Sequence, residues 1–388
     1  MHTILRFVII LAISSVTTNP CLAQRDSTRQ RSKIPIPERS QANKLATVTV
    51  TVSPRLVRRV KHQFQTIKQA LDFAAENKYR AIRIVVHGGT YSDRLTITRR
   101  TDIVGRRGQR PILRGSVSNG GGHALTITNI EMRNCQPYAL IQRGGSLSLN
   151  NVGIYGTKRT ARDWYSGIAL DIGDGAEGRF SHITLDHNQG TAMLVHGRKT
   201  KVRIFNLTVI DNSVHPLAVM RDIDQNSHER LAAVDVADGA LLLVDSPVID
   251  RNAFAGITVR DGGRAHLRSG RVTKTIAVNR RGGLNVRVLN HSRLELRNVV
   301  VSHASLAGIQ VIRSWIKARD VIAENNTIGV HVSGTPQADY NPIDCLTVGR
   351  NIFRNNGRDL AAAELPVPGT GRGVRSELKC PGVPWSFN

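Results

Sequence analysis

The sequence predicts an all-β solenoid, a parallel β-helix in which a capping α-helix precedes the stacked coils. Three observations support this fold: an internal repeat, short alternating apolar runs within each repeat, and one amphipathic helical segment ahead of them. Of the 388 residues, 40% are hydrophobic and only 4% are aromatic. The core must therefore be built from Val, Ile, Leu and Ala, a composition that suits strands.

An internal repeat occupies the chain from about residue 123. Segments aligned on the small or apolar residue before an alternating run begin at Gly167, Gly190, Leu231, Gly256, Gly283, Gly308 and Gly329. The uninterrupted steps 167→190, 256→283, 283→308 and 308→329 span 21 to 27 residues. A period of this size indicates a solenoid. Each unit holds three short runs and no helical run, so we expect strands stacked in parallel about 4.8 Å apart.

The first 23 residues are interpreted as a secretory signal peptide. Arg6 gives a basic start, the apolar run after it is too short for a bilayer, and Cys21-Leu22-Ala23 resembles a small-x-Ala cleavage site. Export predicts a secreted or periplasmic protein. Cys21 is then removed with the signal or, as an alternative, lipidated.

Composition divides the rest of the chain into four segments. Residues 24–44 are polar, basic and Pro-bearing, which predicts a disordered linker. The alternating run 46–52 predicts a strand, and apolar residues at helical spacing predict a helix over 64–76. The remaining predicted segments are an N-terminal cap at 45–116, the β-helix coils at 117–360 and a C-terminal tail at 361–388.

Export also changes what the cysteines can do. Cys345 and Cys380 lie in the loop-rich C-terminal part and can form a disulfide in an oxidising compartment. Cys135 lies in an apolar repeat, which favours a buried thiol. No Cys-x-x-Cys or His-x-x-x-His spacing supports a zinc site, so we predict no metal site and no cofactor.

The formal net charge of +25 favours an anionic partner. For an exported protein, we expect this partner to be an acidic polysaccharide or an anionic envelope surface. Nucleic acid is disfavoured because unpaired bases need stacking aromatic residues, which are scarce here. The alternative is a generally basic sequence with no specific partner. No stretch after the signal predicts a membrane span, and we expect a monomer.

Recurring asparagines predict a structural ladder at one corner of the coils. Asn tolerates the left-handed backbone that a sharp corner requires, and stacked side-chain amides can bond from coil to coil. The predicted rungs, each near the step into the next apolar run, are Asn134, Asn188, Asn212, Asn252, Asn279 and Asn325, with Asn326 as the alternative for the last.

Two insertions interrupt the repeat at this corner and predict a functional cleft. They cover residues 156–166 and 213–230, and one coil separates them, so their bases are expected about 10 Å apart. Candidate catalytic acid or base groups are Asp163, Tyr165, Asp222, Asp224, His228 and Glu229. Candidate substrate-binding residues are Arg159, Arg162, Trp164, Arg198, Lys199 and Arg230. The alternative is that both insertions are solvated loops.

A basic strip accompanies the predicted cleft. Lys and Arg cluster in the segments 196–203, 260–268 and 279–293, near equivalent turns of successive coils. Their expected spacing of about 4.8 Å approximates the repeat along a sugar chain. The strip therefore favours a linear anionic polymer, although scattered solvated charge is the alternative interpretation.

The repeat and the entry sequence 64–105 resemble the pectin lyase-like superfamily, over about residues 60 to 360. The resemblance implies a single-stranded right-handed parallel β-helix and extracellular, uronate-containing polysaccharides as the substrate class. It implies chemistry only weakly, because lyases, hydrolases, esterases, epimerases and non-catalytic members share this fold.

Catalytic motifs of that superfamily do not match this chain. The Asp-Pro-His-Asp motif of mannuronan epimerases has its nearest counterpart in Asn-Pro-Ile-Asp at 341–344, which lacks the leading acid and the His. The acidic run 221–224 could supply calcium ligands, but no dense carboxylate cluster supports such a site. The sequence therefore predicts recognition, with or without cleavage, of an anionic polysaccharide, and leaves open a non-catalytic envelope or surface protein.

Overall fold

Most of the predicted solenoid lies within the described part of the chain. The computed structural model describes residues 47–55, 62–160, 163, 166–215, 218–219, 231–334, 345–346 and 350–363. These residues all belong to one structural unit, Lys44–Asn388. The predicted signal peptide 1–23 and linker 24–44 lie outside the described residues.

Short parallel strands make up almost all of the regular structure. In chain order the elements are β1 (Thr47–Val52), β2 (Gln63–Phe64), α1 (Ile67–Glu76), β3 (Ala81–Val86), β4 (Thr90–Tyr91), β5 (Leu95–Thr96), β6 (Arg100–Gly105), β7 (Ile112–Leu113), β8 (Val117–Asn119), β9 (Leu125–Arg133), β10 (Tyr138–Arg143), β11 (Ser146–Tyr155), β12 (Ile168–Gly173), β13 (Glu177–Asp186), β14 (Met193–Val195), β15 (Lys201–Ile210), β16 (Ala232–Val236), β17 (Leu241–Asp250), β18 (Ala255–Val259), β19 (Arg264–Thr273), β20 (Ala277–Val278), β21 (Arg281–Gly282), β22 (Leu284–Leu289), β23 (Arg293–Ser302), β24 (Ala307–Ile312), β25 (Trp315–Arg319), β26 (Ile322–Glu324), β27 (Ile328–Ser333), β28 (Ile352–Arg354) and β29 (Arg358–Ala363).

Two large parallel sheets stack these strands into coils. The long-strand sheet has the order β2-β1-β3-β6-β9-β11-β13-β15-β17-β19-β23-β26-β28, with β4, β7 and β25 beside it. The short-strand sheet has the order β29-β27-β24-β22-β18-β16-β14-β12-β10-β8-β5. Only β20 and β21 pair in antiparallel fashion among the strands of the described residues. The predicted all-β parallel solenoid is therefore confirmed.

The coils that contain β9, β11, β13, β15, β17, β19 and β23 differ in one detail from the three separate runs that the sequence predicts. The second and third runs form one long strand that bends at a residue with positive φ, such as His182 in β13 (φ 54°) or Asn206 in β15 (φ 59°). Stacked strands keep equivalent residues in register, as Leu185 with Val209 and Leu170 with Met193 show. Inward-facing Val, Ile and Leu thereby join into one continuous core.

The capping helix is shorter than the predicted segment 64–76. It begins at Ile67 because Thr66 is the N-cap, and the Thr66 and Gln69 side chains form a reciprocal capping box. Asp93 strengthens this end, since its Oδ2 accepts the backbone N–H of Ile67 at 2.8 Å. The apolar face of the helix is buried in the same core as the inward residues of β1 and β3.

Buried asparagine amides bond from coil to coil at one corner. The side-chain N–H of Asn188 donates to Oδ1 of Asn212 at 2.9 Å, and Asn212 donates in the same way to Asn252 at 2.9 Å. Each Oδ1 also accepts the backbone N–H of the preceding rung. Each amide nitrogen reaches a backbone carbonyl, Leu185 for Asn212 and Val209 for Asn252. The amides therefore satisfy backbone groups that the corner would otherwise leave unpaired.

The other predicted rungs Asn134, Asn279 and Asn325 are outside this stack. All three are exposed and have positive φ, and Asn279 lies in the β20–β21 hairpin. Asn134 and Asn325 occupy the left-handed position one residue before the buried rung position, where Cys135 and Asn326 lie. The sequence pattern therefore locates the corner in these two coils, but it selects the residue that precedes the buried rung.

A second amide stack was not predicted in this form. Nδ2 of Asn326 donates to Oδ1 of Asn356 at 3.0 Å, and Asn285 from β22 accepts the backbone N–H of Thr275 at 3.1 Å. Thr275 and Ala304 occupy the rung position in two intervening coils and have no side-chain amide. Asn285 supplies an amide from the neighbouring strand β22 instead. The corner is thus stabilised even where the repeat lacks Asn.

The cysteines follow part of the predicted arrangement. Cys345 is disulfide-bonded, while its predicted partner Cys380 lies outside the described residues. Cys135 is a free, buried thiol, and burial raises its pKa to about 12. Coils continue past residue 360, since β29 ends at Ala363. No helix among the described residues is long and apolar enough to cross a bilayer.

Replacing Asn212 with Ala should destabilise the solenoid by roughly 3 kcal/mol. The substitution removes the acceptor of the Asn188 backbone N–H and side-chain amide, and it removes the donor to the Leu185 carbonyl. The free energy of unfolding in urea measures this loss. The control is Asn325→Gly, which alters an exposed residue whose positive φ suits glycine. Equal destabilisation by both substitutions would show that the buried amide stack has no special role.

Candidate functional site

Most of the predicted catalytic and substrate-binding residues lie outside the described part of the chain. His228, Tyr165, Asp222, Asp224 and Glu229 lie outside the described residues, as do Arg162, Trp164 and Arg230. Their catalytic and substrate-binding roles stay predictions. Of the predicted cleft residues, the structure describes Arg159, Asp163, Arg198 and Lys199.

Arg159 joins neighbouring corners of the solenoid. Its Nε donates to the backbone carbonyl of Gln189, and its Nη2 donates to the carbonyl of Ser213 at 3.4 Å. Burial lowers its pKa. These contacts give Arg159 a structural role, and binding of a substrate carboxylate by its guanidinium stays a prediction. Asp163 nearby is exposed, and its backbone carbonyl accepts the Ser166 hydroxyl at 2.6 Å.

Arg198 and Lys199 do not lie beside Arg159. They are exposed in the turn between β14 and β15, whereas Gln189, the contact of Arg159, lies in the corner before β14. The strand and its flanks separate these two corners by roughly 20 Å of extended chain. The structure therefore does not bring the predicted substrate-binding residues Arg159, Arg198 and Lys199 into one cluster.

An ionic cluster that the sequence reasoning missed lies on the short-strand sheet. Arg143 donates to both oxygens of Asp171, at 2.8 and 2.6 Å, and Nε2 of His196 lies 3.0 Å from Oδ1 of Asp171. Burial alone would raise the pKa of Asp171, but the His196 and Arg143 contacts lower it to about 2. A Cβ on Gly173 would lie 2.6 Å from His196 Nε2, so glycine leaves room for this ring.

A second ion pair follows along the same sheet. Arg260 Nε lies 3.1 Å from Oδ1 of Asp235, and the two side chains are only 7% and 1% exposed. Arg260 also donates to Asp261 at 2.8 Å. Alignment of the repeats could have found these acids, because Asp171 and Asp235 occupy equivalent places in "ALDIGDG" and "AVDVADG". Their charges are paired within the fold, which favours a stabilising role.

The exposed basic surface lies on the long-strand sheet. We define the front face as the outward side of residues 146–150, 177–181, 201–205, 241–245, 264–268, 293–297 and 315–319. Alternation puts Val202 and Ile204 in the core and turns Lys201, Arg203 and Phe205 outward. The cations of this face are Arg179, Lys201, Arg203, Arg264, Arg268, Arg293, Arg297, Lys317 and Arg319. They include the predicted basic strip only in part.

Arginines on the front face stack directly on one another. Arg179 is the register partner of Arg203, and Arg268 is the partner of Arg297, which in turn pairs with Arg319. Arg264 and Arg293 form another such pair. Stacked strands put these positions about 4.8 Å apart. Within the described part of the chain, no ion pair is found for several of these cations: Arg179, Lys201, Arg203, Arg264, Arg297 and Lys317.

A shallow groove of about 670 Å³ opens on this face. Its charged lining comes from Glu177, Arg179, Lys201, Arg203 and Asp245, and Phe205 supplies an aromatic surface that is 52% exposed. His182 lies edge-on to Phe205, with ring centroids 6.0 Å apart. The groove thus combines cations with an exposed apolar ring.

One group of possible metal ligands is present among the described residues. Ligand atoms of Asp186, His187 and Asp211 lie within 4.8 Å of one another. Arg251 already pairs with one member of this group, since its Nε and Nη2 donate to the two oxygens of Asp211 at 2.9 and 2.8 Å. The predicted acidic run 221–224 lies outside the described residues.

Comparisons with known proteins give a structural likeness alone. No protein-family model matches the chain, and no curated protein matches it. Among solved structures, the A-module of a mannuronan C-5 epimerase from Azotobacter vinelandii is similar, with 8% sequence identity. The match covers 78% of this chain and 93% of that chain, with a TM-score of 0.42. A likeness this distant assigns no activity.

Asp171→Asn should destabilise the protein by on the order of 2 kcal/mol near neutral pH. The folded-state pKa of Asp171 lies below its usual value of 3.8, at about 2. Its contribution is therefore present above about pH 4 and is lost as the pH falls toward 2. Urea unfolding across this range measures the change, with Asp174→Asn, whose side chain is 67% exposed, as the control. A pH-independent penalty would contradict this account.

Proposed function

We propose that this protein binds a linear anionic polysaccharide along its front face. The observation that carries the proposal is the stacking of arginines in register, as in Arg179 with Arg203 and Arg268 with Arg297. Like charges directly opposite each other destabilise a sheet. A bound polyanion offsets this repulsion, and the positive field of the face attracts it from a distance.

The geometry of the face favours a polymer over a small anion. The cations continue over β13, β15, β19, β23 and β25, so a ligand must extend over several coils to meet them. Guanidinium groups bind carboxylates and sulfates through paired hydrogen bonds. A spacing of about 4.8 Å between stacked strands is close to the length of one residue in an extended sugar chain.

Nucleic acid fits this face less well. Binding of single strands depends on a row of aromatic rings on which the bases stack. Phe205 and Trp315 are the outward-facing Phe, Trp or Tyr residues of the front face as defined above, since Phe180 in β13 is buried. Trp315 is already covered by the guanidinium of Arg293, which lies 5.1 Å from its ring centroid. The face therefore offers charge without a stacking row.

Replacing Arg264, Arg297 and Lys317 together with Ala should weaken binding to polygalacturonate about tenfold or more at low salt. The loss should shrink as salt screens the charges. Retention on an immobilised polymer and titration calorimetry at several salt concentrations measure the effect.

The matched control for this variant replaces three exposed cations outside the front face, Arg107, Arg114 and Lys158, with Ala. Both variants lose the same net charge. An equal loss of affinity would mean that net charge, and not the stacked cations, governs binding.

Cleavage of the polymer is a separate part of the hypothesis. It depends on groups such as Tyr165 and His228 that lie outside the described residues. If the protein is a lyase, incubation with pectate, alginate or glycosaminoglycans should release unsaturated uronates, detected by their ultraviolet absorbance. Absence of this product with all three polymers would remove the lyase hypothesis and leave the binding proposal standing.

A further inference from the structure

The cations of the front face are interrupted at β17. The residues at its outward positions, Leu241, Leu243 and Asp245, include no cation, and Leu241 is buried. Their register partners on β15 are Lys201, Arg203 and Phe205, in that order. On the other side, β19 again supplies arginines, Arg264 and Arg268. A gap one strand wide thus separates two basic stretches.

The gap has the chemistry of an uncharged sugar site. Leu243 and the 52% exposed ring of Phe205 lie at the groove and offer apolar surface to the C–H face of a pyranose ring. Asp245 would repel a carboxylate, although Arg268 lies 3.4 Å from it and partly neutralises it. Carboxylate oxygens such as that of Asp245 can instead accept hydrogen bonds from sugar hydroxyls.

The spacing of the coils connects this gap to the stretches around it. A polymer that runs along the stack would set one residue over each strand, about 4.8 Å apart. The residue over Leu243 would then meet apolar surface. Its neighbour over β15 would meet Arg203 in the same row, and its neighbour over β19 would meet His266 in the same row, with Arg264 and Arg268 in the rows on either side. A fully ionised chain would have to desolvate one carboxylate there without a cation.

We infer that the groove at β17 selects polysaccharides whose anionic residues are interrupted by an uncharged residue. This inference rests on the proposed function of the front face. It names the ligand class more narrowly, as a partly esterified or alternating polymer. Phe205 and Leu243 hold the uncharged residue, and the arginines on both sides hold its anionic neighbours.

Two galacturonate oligomers of equal length test this selectivity, one fully ionised and one partly methyl-esterified. Affinities are measured by calorimetry at one salt concentration. The partly esterified oligomer should bind the wild type at least about threefold more tightly. This order is diagnostic, because the esterified oligomer carries less charge and general electrostatic attraction predicts the reverse.

Two variants connect the preference to the gap. Leu243→Lys supplies the missing cation and should reverse the preference, while Phe205→Ala should reduce it to nearly none. Thr208→Lys is the matched control, since it adds the same charge to an outward position of β15 beyond the bend and the groove. Thermal unfolding verifies that each variant is folded.

The possible failures are distinguishable. Tighter binding of the fully ionised oligomer by the wild type, with the same ratio for Leu243→Lys and Thr208→Lys, overturns the selectivity and leaves front-face binding intact. Binding of neither oligomer by the wild type overturns both this inference and the proposed function.

Discussion

Register between stacked parallel strands is the constraint on which the rest of this structure depends. A slip by one residue would turn every inward side chain outward, so the continuous core of Val, Ile and Leu fixes the pairing. The buried amides of Asn188, Asn212 and Asn252 reinforce that pairing at the corner, because Asn188 donates to Asn212 and Asn212 donates to Asn252. Because the register is fixed, equivalent positions of successive coils form rows of similar residues, such as apolar, amide or cationic rows.

Charged residues are paired on the short-strand sheet but partly unpaired on the front face of the long-strand sheet. On the short-strand sheet, Asp171 is held by Arg143 and His196, and buried Asp235 is held by Arg260. Burial makes pairing obligatory there, because an isolated buried charge is very costly. On the front face, unpaired cations are stabilised by hydration. Stacked arginines such as Arg179 and Arg203 nevertheless repel each other. Asp245 and Glu295 relieve this repulsion only in part, and the remaining repulsion is the observation on which the proposed anionic partner rests.

The sequence predicts the solenoid well because the repeat and the alternation report the same periodic core. It places the amide ladder correctly only where the Asn occupies the buried rung, as Asn212 does. Asn325 misleads because the left-handed corner position and the rung position are adjacent, and Asn suits both. Arg159 of the first insertion and Arg198 and Lys199 of the basic strip were all predicted to bind substrate, and the sequence does not reveal that a strand separates their corners. The paired acids were missed because partner choice depends on side-chain geometry across coils.

The acid and base side chains of the ionic cluster on the short-strand sheet are engaged in ion pairs, which limits their use in acid–base catalysis. His196 beside Asp171 resembles an oriented general base, in which a carboxylate fixes the imidazole. Arg143, however, occupies both oxygens of that carboxylate and compensates its charge. Such an Asp stabilises a developing imidazolium far less than an unpaired one would. The cluster is therefore better explained as neutralisation of a carboxylate on a buried sheet, and the stacked cations of the front face remain the feature that the fold alone does not explain.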